Sequence, residues 1–485
     1  MWVNLDMMAR STAERAVRLP RCAGRARVQS IGPRQVALFA FVGRMKYLAI
    51  LIIAATALSG GAFARDTGPL LRYQLANGLD VILVPDHRVP KVVVDIGYKV
   101  GAVNEPPGRS GFAHLFEHLM FMGTPAYPDI DAAYGTVGAD INASTWNDYT
   151  VYYTRGLASA LPYMLAIEAD RMANQGAAIT AEDLDTQREV VLNEMRQNTL
   201  DTLGGSALLV AQAQLYPKGH PYSRSIIGSM ADLKMATIAD VHGFFDTFYV
   251  PNNAVLVVAG DIDPARTKEL VAKYFQDIPR GADVIQPLAC EPPLEREERA
   301  VIEDRIQLPA VVHAYRIPAN GTPDFYAVEL VNRLLSSGNS SRLNMALKDE
   351  QGKAVHTGAF TLPFEHPGLA ILFAIANSGV SAEELEVAMD AEVDRIRLKG
   401  ITPGELAKLK AQLETEAIHD NSRVAGVASN LASAYMLLGS TDLVNKELDR
   451  YLAVTAADLQ RAAMDYFSPE RRVALFYLPQ QRTNT

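Results

Sequence analysis

The chain has 485 residues, room for roughly two to four domains around a large core. Its apolar fraction of 49% is ordinary for a globular protein and too low for one with many membrane spans. The formal net charge of −9 is unevenly placed: residues 1–64 carry nine Lys/Arg and two Asp/Glu, leaving 37 basic and 53 acidic residues and a net of −16 beyond them. A body that acidic repels phosphate backbones, so nucleic acid is not expected as a partner.

The N-terminal asymmetry has a local explanation. Residues 45–64, "MKYLAILIIAATALSGGAFA", have a basic start, an apolar run and a small-residue close at Ala62-Phe63-Ala64. That is the layout of a secretory signal peptide, with the mature chain beginning at Arg65. Residues 1–44 then read as an upstream extension ahead of the true start at Met45. A mitochondrial transit peptide or a retained membrane anchor are the competing readings, the anchor weakened by Gly60-Gly61 in a short run. The expected location is periplasmic or secreted, with no stable membrane span. Of the two cysteines, Cys22 and Cys290, only Cys290 survives cleavage, so no internal disulfide is expected.

From residue 70 strands and helices alternate. "LRYQLANGLDVILVPD" predicts a hairpin about Asn77-Gly78, and "KVVVDIGYKVG" a strand. A helix with "HLFEHLMFMGT" (114–124) follows. "ADINASTWNDYTVYYT" (139–154) predicts strands, "SALPYMLAIEADRMANQ" and "TAEDLDTQREVVLNEMRQNTL" helices, the second opened by a Thr180/Asp183 capping box. "NNAVLVVAGDID" (252–263) predicts the strand that closes this half. Residues 279–300 are Pro-rich and charged and predict a linker between residues 65–278 and 301–485.

After the linker the order recurs as strand, loop, helix, glycine. "ELVNRLLSSGN" (329–339) aligns with "HLFEHLMFMGT" at an offset of 215 residues, with Glu329, Asn332 and Arg333 in place of His114, Glu117 and His118. This indicates an internal duplication in which one copy keeps the polar triplet. The fold class expected is α+β, with two homologous α/β-sandwich halves, each a mostly antiparallel sheet flanked by helices.

On a helix His114, Glu117 and His118 lie within about 100° of arc, one polar stripe on an otherwise apolar surface. Such a stripe must be satisfied inside the protein. Hydrogen-bonded core histidines would do so; a divalent metal does it better, because two imidazoles one turn apart reach one Zn²⁺ and the carboxylate between them points the same way. A catalytic zinc needs a third protein ligand and an open position. Glu194 is the candidate, read as sharing an inward face with Val190 and Val191; Glu189 is the rival, off that face.

H-x-x-E-H is the inverzincin signature. With "GRSGFAHLFEHLMFMGT", "INASTWNDYTVYY", "EADRM", "REVVLNEMRQN", "HPYSRSIIG", "YVPNNAVLVVAGDID" and "GNSSRL", the chain resembles the pitrilysin/insulinase family of zinc metallopeptidases over roughly residues 70–480. The likeness is to the short bacterial type, similar to the mitochondrial processing peptidase beta subunit. The resemblance implies one Zn²⁺ per chain, held by His114, His118 and Glu194, with Glu117 as general base. It implies a peptide added as a strand beside Asn142, Ala143 and Thr145, an outer-shell role for Gln187 where many relatives have Glu, and a hollow clamshell that favours short or unfolded substrates.

Two positions depart from the family pattern. Many members carry an Arg and, seven residues on, a Tyr that hold the substrate near zinc; Lys348 and Val355 stand here instead. Val cannot donate a hydrogen bond to a carbonyl. The expectation is therefore a zinc-dependent endopeptidase or oligopeptidase that pairs with a related second chain supplying Arg and Tyr, a heterodimer ahead of a homodimer. A non-catalytic structural subunit and a processing peptidase dedicated to one substrate are the alternatives. His220, in "HPYSRSIIG", reads as structural.

Overall fold

The computed structural model describes residues 70–200, 205–287, 294, 296–440 and 444–480. The expected signal segment, the residues before it, both cysteines and part of the expected linker lie outside the described residues. Among the described residues no helix is long and apolar enough to cross a membrane.

The first sheet has six strands, β1 (Leu71–Gln74), β2 (Asp80–Pro85), β3 (Lys91–Tyr98), β4 (Asp140–Thr145), β5 (Thr150–Leu157) and β6 (Ala254–Gly260), in the order β1-β2-β6-β3-β5-β4. Neighbours are antiparallel except β2 and β6, which are parallel. The β1–β2 turn requires glycine at Gly78, whose φ is +93° and whose Cβ would sit 2.7 Å from that of Asn252. Five helices matter for the site: α1 (Phe112–Leu119), α2 (Leu161–Ala178), α3 (Ala181–Met195), α4 (Ala207–Leu215) and α5 (Ile238–Phe248). The Thr180/Asp183 capping box opens α3 as expected. β2, β3 and β6 are buried on both faces, which is why their sequences run apolar without alternating. Val81, Leu83, Val92, Val94 and Ile96 face α1, α2 and α5, while Ile82, Val84, Val93, Val255 and Val257 face the other way.

The second sheet has five strands, β7 (Glu298–Asp304), β8 (Ala310–Ala319), β9 (Ala354–Leu362), β10 (Pro367–Ala376) and β11 (Arg472–Pro479), in the order β7-β11-β8-β10-β9. β7 starts inside the expected linker, where Glu298 pairs with Val473 of β11. Its helices include α6 (Pro323–Ser336), α7 (Ala382–Lys399), α8 (Pro403–Asn421) and α9 (Val424–Leu438).

The two halves share one topology. β7-β11-β8-β10-β9 repeats β2-β6-β3-β5-β4, including the single parallel pair, β7 with β11. α6 links β8 to β9 as α1 links β3 to β4, and α7, α8 and α9 follow β10 as α2, α3 and α4 follow β5. The duplication thus extends from one matched string to the whole architecture of two helix-flanked sheets. The halves exchange one equivalent pair of helices, α4 and α9. Val424, Ala428, Leu431, Ala432 and Met436 of α9 cover the outer face of the first sheet. Ala211 and Leu215 of α4 pack on Val312, Ala314, Val473 and Leu475 of the second. Each such Leu or Val buried contributes about 1.5–3 kcal/mol, so the exchange joins the halves firmly.

Candidate active site

α1 buries Phe112, Ala113, Leu115, Phe116 and Leu119 and leaves His114, Glu117 and His118 as a half-buried stripe at its rim. Its first residue follows Gly111, which has no side chain to cap the helix. The buried Glu105 does so instead, accepting from the amides of Gly111 and Ala113 at 3.0 Å each. Burial pushes the Glu105 carboxyl up to about 8, against the pull of those two donors. At the other end Arg171, fully buried, donates to the carbonyl of Met120 at 2.9 and 3.1 Å and to Glu168 at 2.8 and 2.9 Å. Glu105 takes the free amides at the start of α1 and Arg171 the carbonyl at its end, so hydrogen bonds hold the helix at both ends. The "EADRM" string is this brace. Sequence reading missed Glu105; the available signal was a helix start without a capping side chain and an acid just upstream.

Glu194 comes from α3, with a correction to the expected face. Val191, Leu192 and Met195 point into the core, whereas Val190 is 42% exposed. The stripe that packs runs through Leu184, Val191, Leu192 and Met195, which puts Val190 outside it and Glu194 on its edge toward α1. Glu189 is exposed.

His114 Nε2 lies 3.8 Å and His118 Nε2 3.4 Å from Glu194 Oε2, and the two rings meet edge to face with centroids 4.8 Å apart. Tetrahedral coordination at about 2.0–2.1 Å places ligand atoms about 3.3–3.4 Å apart, close to this triangle. Among the described residues it is the one group of three or more His, Cys, Asp or Glu donors lying within 4.8 Å of one another. His114 Nδ1 is buried without a hydrogen-bond partner. Burial holds the His114 pKa below its ordinary value and so favours the neutral imidazole a metal requires. The hydrogen bond from His118 holds the Glu194 carboxyl below its ordinary range, against partial burial. Two imidazole nitrogens and one carboxylate oxygen, open to solvent on one side, fit a divalent ion of the zinc type.

Glu117 Oε2 accepts the hydroxyl of Thr145 at 2.5 Å. Thr145, expected beside the substrate, directs its hydroxyl to this carboxylate. β4, which carries it, is the edge strand of the first sheet. Asn142 on β4 is exposed, its Oδ1 accepting from the Ala143 amide at 2.8 Å, and Ala143 is buried. Gln187 is half-buried and donates to Met122 Sδ at 3.1 Å, so its bond goes to neither histidine. Lys348 and Val355 are both exposed in the second half. His220 is buried, its Nδ1 accepting from the Tyr222 amide at 3.0 Å.

A family model described as "Insulinase (Peptidase family M16)" matches residues 80–213, and one described as "Peptidase M16 inactive domain" matches residues 236–413. The chain is 30% identical to the zinc protease PqqE of Helicobacter pylori over 416 residues, covering 84% of this chain and 92% of that one. A crystal structure of a protease from Helicobacter pylori matches with a TM-score of 0.81 at 27% identity, covering 85% of this chain and all of the other. The structure of a peptidase M16 inactive domain from Pseudomonas fluorescens shares the fold with a TM-score of 0.77 at 17% identity.

Proposed function

Because the chain belongs to peptidase family M16, the insulinase family, we propose that it is a zinc-dependent endopeptidase or oligopeptidase acting on extended peptides. The observation that carries this reading is the approach of His114, His118 and Glu194 donor atoms to within 4.8 Å of one another, with Glu117 on the same helix face. The zinc these residues would hold lowers the pKa of a water and polarises the scissile carbonyl. Glu117 takes the proton of the attacking water and returns it to the leaving amine. Thr145 engages Oε2 of that carboxylate and leaves Oε1 to carry the proton. A peptide pairs with the open edge of β4 along Asn142 and Ala143 through backbone hydrogen bonds, which selects extended chains over folded ones.

The pairing with a second chain rests on Lys348 and Val355. Neither supplies the bidentate fork of Arg or the hydroxyl of Tyr. A related partner supplying both would complete the site and close the clamshell; a second copy of this chain, the alternative, would close the clamshell without adding either group. Export to the periplasm or beyond follows from residues 45–64. The test is cleavage of an unstructured peptide mixture by the zinc-loaded chain, with Glu117→Gln as control. A wild type that binds no zinc would favour the non-catalytic subunit; bound zinc without cleavage would mean that the missing Arg and Tyr matter and that a second chain must supply them.

A further inference from the structure

The turn that ends β4 is held from the second half. Trp146 to Tyr149 form that turn, with the Trp146 amide bonded to the Tyr149 carbonyl at 2.8 Å. Asp148, buried within it, receives the hydroxyl of Tyr222 on Oδ1 and the backbone amide of Glu365 on Oδ2 at 3.0 Å. The amide of His366 donates to the Tyr222 oxygen at 3.3 Å. Lys99 pairs with the Glu365 carboxylate at 2.9 Å. Glu365 and His366 form the tip between β9 and β10, so one carboxylate of the first half receives the tip of a hairpin from the second. Tyr222 is wholly buried and packs on Phe364 of the same tip, ring centroids 4.5 Å apart.

Three residues before Asp148 stands Thr145, whose hydroxyl holds Glu117. The same turn is also tied to the entrance of α1. The carbonyls of Trp146 and Asn147 accept from the amides of Ala102 and Val103 at 3.3 and 2.9 Å, and Glu105, the cap of α1, follows directly. Gly101 permits that approach: a Cβ there would lie 2.4 Å from both carbonyl oxygens. The turn therefore touches the general base along one route and the ligand-bearing helix along another.

We propose that Asp148 and Tyr222 are positioning residues, a latch by which the β9–β10 tip of the second half sets Thr145 and, through it, Glu117. The proposal rests on the peptidase reading of the site and gives the second half a task in catalysis, although its described residues hold no cluster of metal ligands. A buried carboxylate with two acceptor bonds in fixed directions is rigid, and loss of either donor leaves it partly unsatisfied. The turn then shifts to recover a partner, and Thr145 shifts with it.

The test uses the zinc-loaded full chain, with Tyr222→Phe and Asp148→Asn as independent variants. Hydrogen exchange read by mass spectrometry should rise about threefold or more in residues 146–149 and 363–366, and also in 112–119 and 140–145, while β8 and β11 stay unchanged. Each variant should keep its zinc and lose about tenfold in kcat with KM within about twofold of wild type, the signature of a misplaced catalytic group. Faster exchange confined to 146–149 and 363–366 with kcat unchanged would overturn the latch, as would a general rise that includes the second sheet. Exchange needs no turnover. A wild type that holds no zinc would count against the peptidase reading, and one that holds zinc but is no more active than Glu117→Gln would mean that the chain needs its partner; in either case exchange alone would then decide the latch.

Discussion

Arg333 on α6 donates through Nη1 to Glu416 on α8 at 2.5 Å, in the place where His118 on α1 meets Glu194 on α3 at 3.4 Å. Its Nε also donates to Glu329, the counterpart of His114, at 2.9 Å, and Thr361 of the edge strand β9 donates to Glu329 as Thr145 of β4 does to Glu117. The second half has kept the geometry of the pocket and filled it with a guanidinium. That cation is covalently part of the chain and neutralises the carboxylates without help. The first half presents two imidazoles and one carboxylate with no guanidinium among them, and needs its cation from outside.

The zinc content of the loaded chain should accordingly be one equivalent, not two. Glu194→Ala should bring it close to none, and Arg333→Ala should leave it at one. Chelation should lower the unfolding temperature, since a ligand at a thousandfold its Kd stabilises the folded chain by about 4 kcal/mol. Metal analysis and thermal unfolding with and without chelator check both. A second equivalent lost in Arg333→Ala would contradict the comparison of the two pockets.

Glu117→Gln keeps the size and the Thr145 hydrogen bond of the carboxylate but cannot take a proton. It should retain zinc and lose about 10²–10⁴-fold in kcat, the range of general-base catalysis. Thr145→Val should lose less, about tenfold, because the base remains and only its orientation is freed. Peptide turnover measured beside metal content separates the two effects. Equal losses in both variants would mean that Thr145 does more than orient Glu117.

The legible part of this chain was the part written in local pattern. The H-x-x-E-H stripe, the hairpin at Asn77-Gly78 and the Thr180/Asp183 cap each depend on residues a few positions apart, and each is where it was expected. The apolar and glycine positions that residues 329–339 share with 114–124 are enough to indicate the duplication, because equivalent helices keep equivalent apolar faces. The helix exchange between halves was not legible, since α4 and α9 look like any apolar helix until the sheet they cover is known. The sequence places Val190 inward with Val191, but the neighbours of α3 take Val191 and Leu192 instead and leave Val190 42% exposed. Glu105 and Asp148 were missed for the same reason: their partners lie in other elements, and a lone acid carries no mark of burial.

Asp95, at the centre of β3, is 1% exposed and its Oδ1 has no partner. Burial pushes its carboxyl up to about 8, with Arg155 pulling the other way. The unfolded chain releases this proton near the usual carboxylate value of about 3.9 and the folded chain keeps it to about 8. Between those values the folded state binds more protons, so this group makes stability fall as pH rises. Asp95→Asn should remove that slope, so its stability relative to wild type should rise from pH 5 to pH 8 by about 1.4 kcal/mol per pH unit. Urea unfolding at the two pH values measures the difference directly; parallel behaviour of the two proteins would show that Asp95 finds a partner when ionised.

The last expectation concerns Lys348 and Val355. Both are exposed, so Lys348→Arg with Val355→Tyr should change stability by no more than about 0.5 kcal/mol. If the proposed site lacks only those two groups, the double variant should cleave peptides faster than wild type by about tenfold or more, since donors aimed at developing charge are worth at least that. The halves of one chain join through the faces that α9 and α4 cover, opposite those carrying α1 and α6. An Arg and a Tyr in the second half are thus expected to serve the site of another chain. The gain should therefore grow with protein concentration and fade on dilution. A gain independent of concentration would place both groups at the site of their own chain, and a wild type already as fast as the double variant would remove the need for a partner.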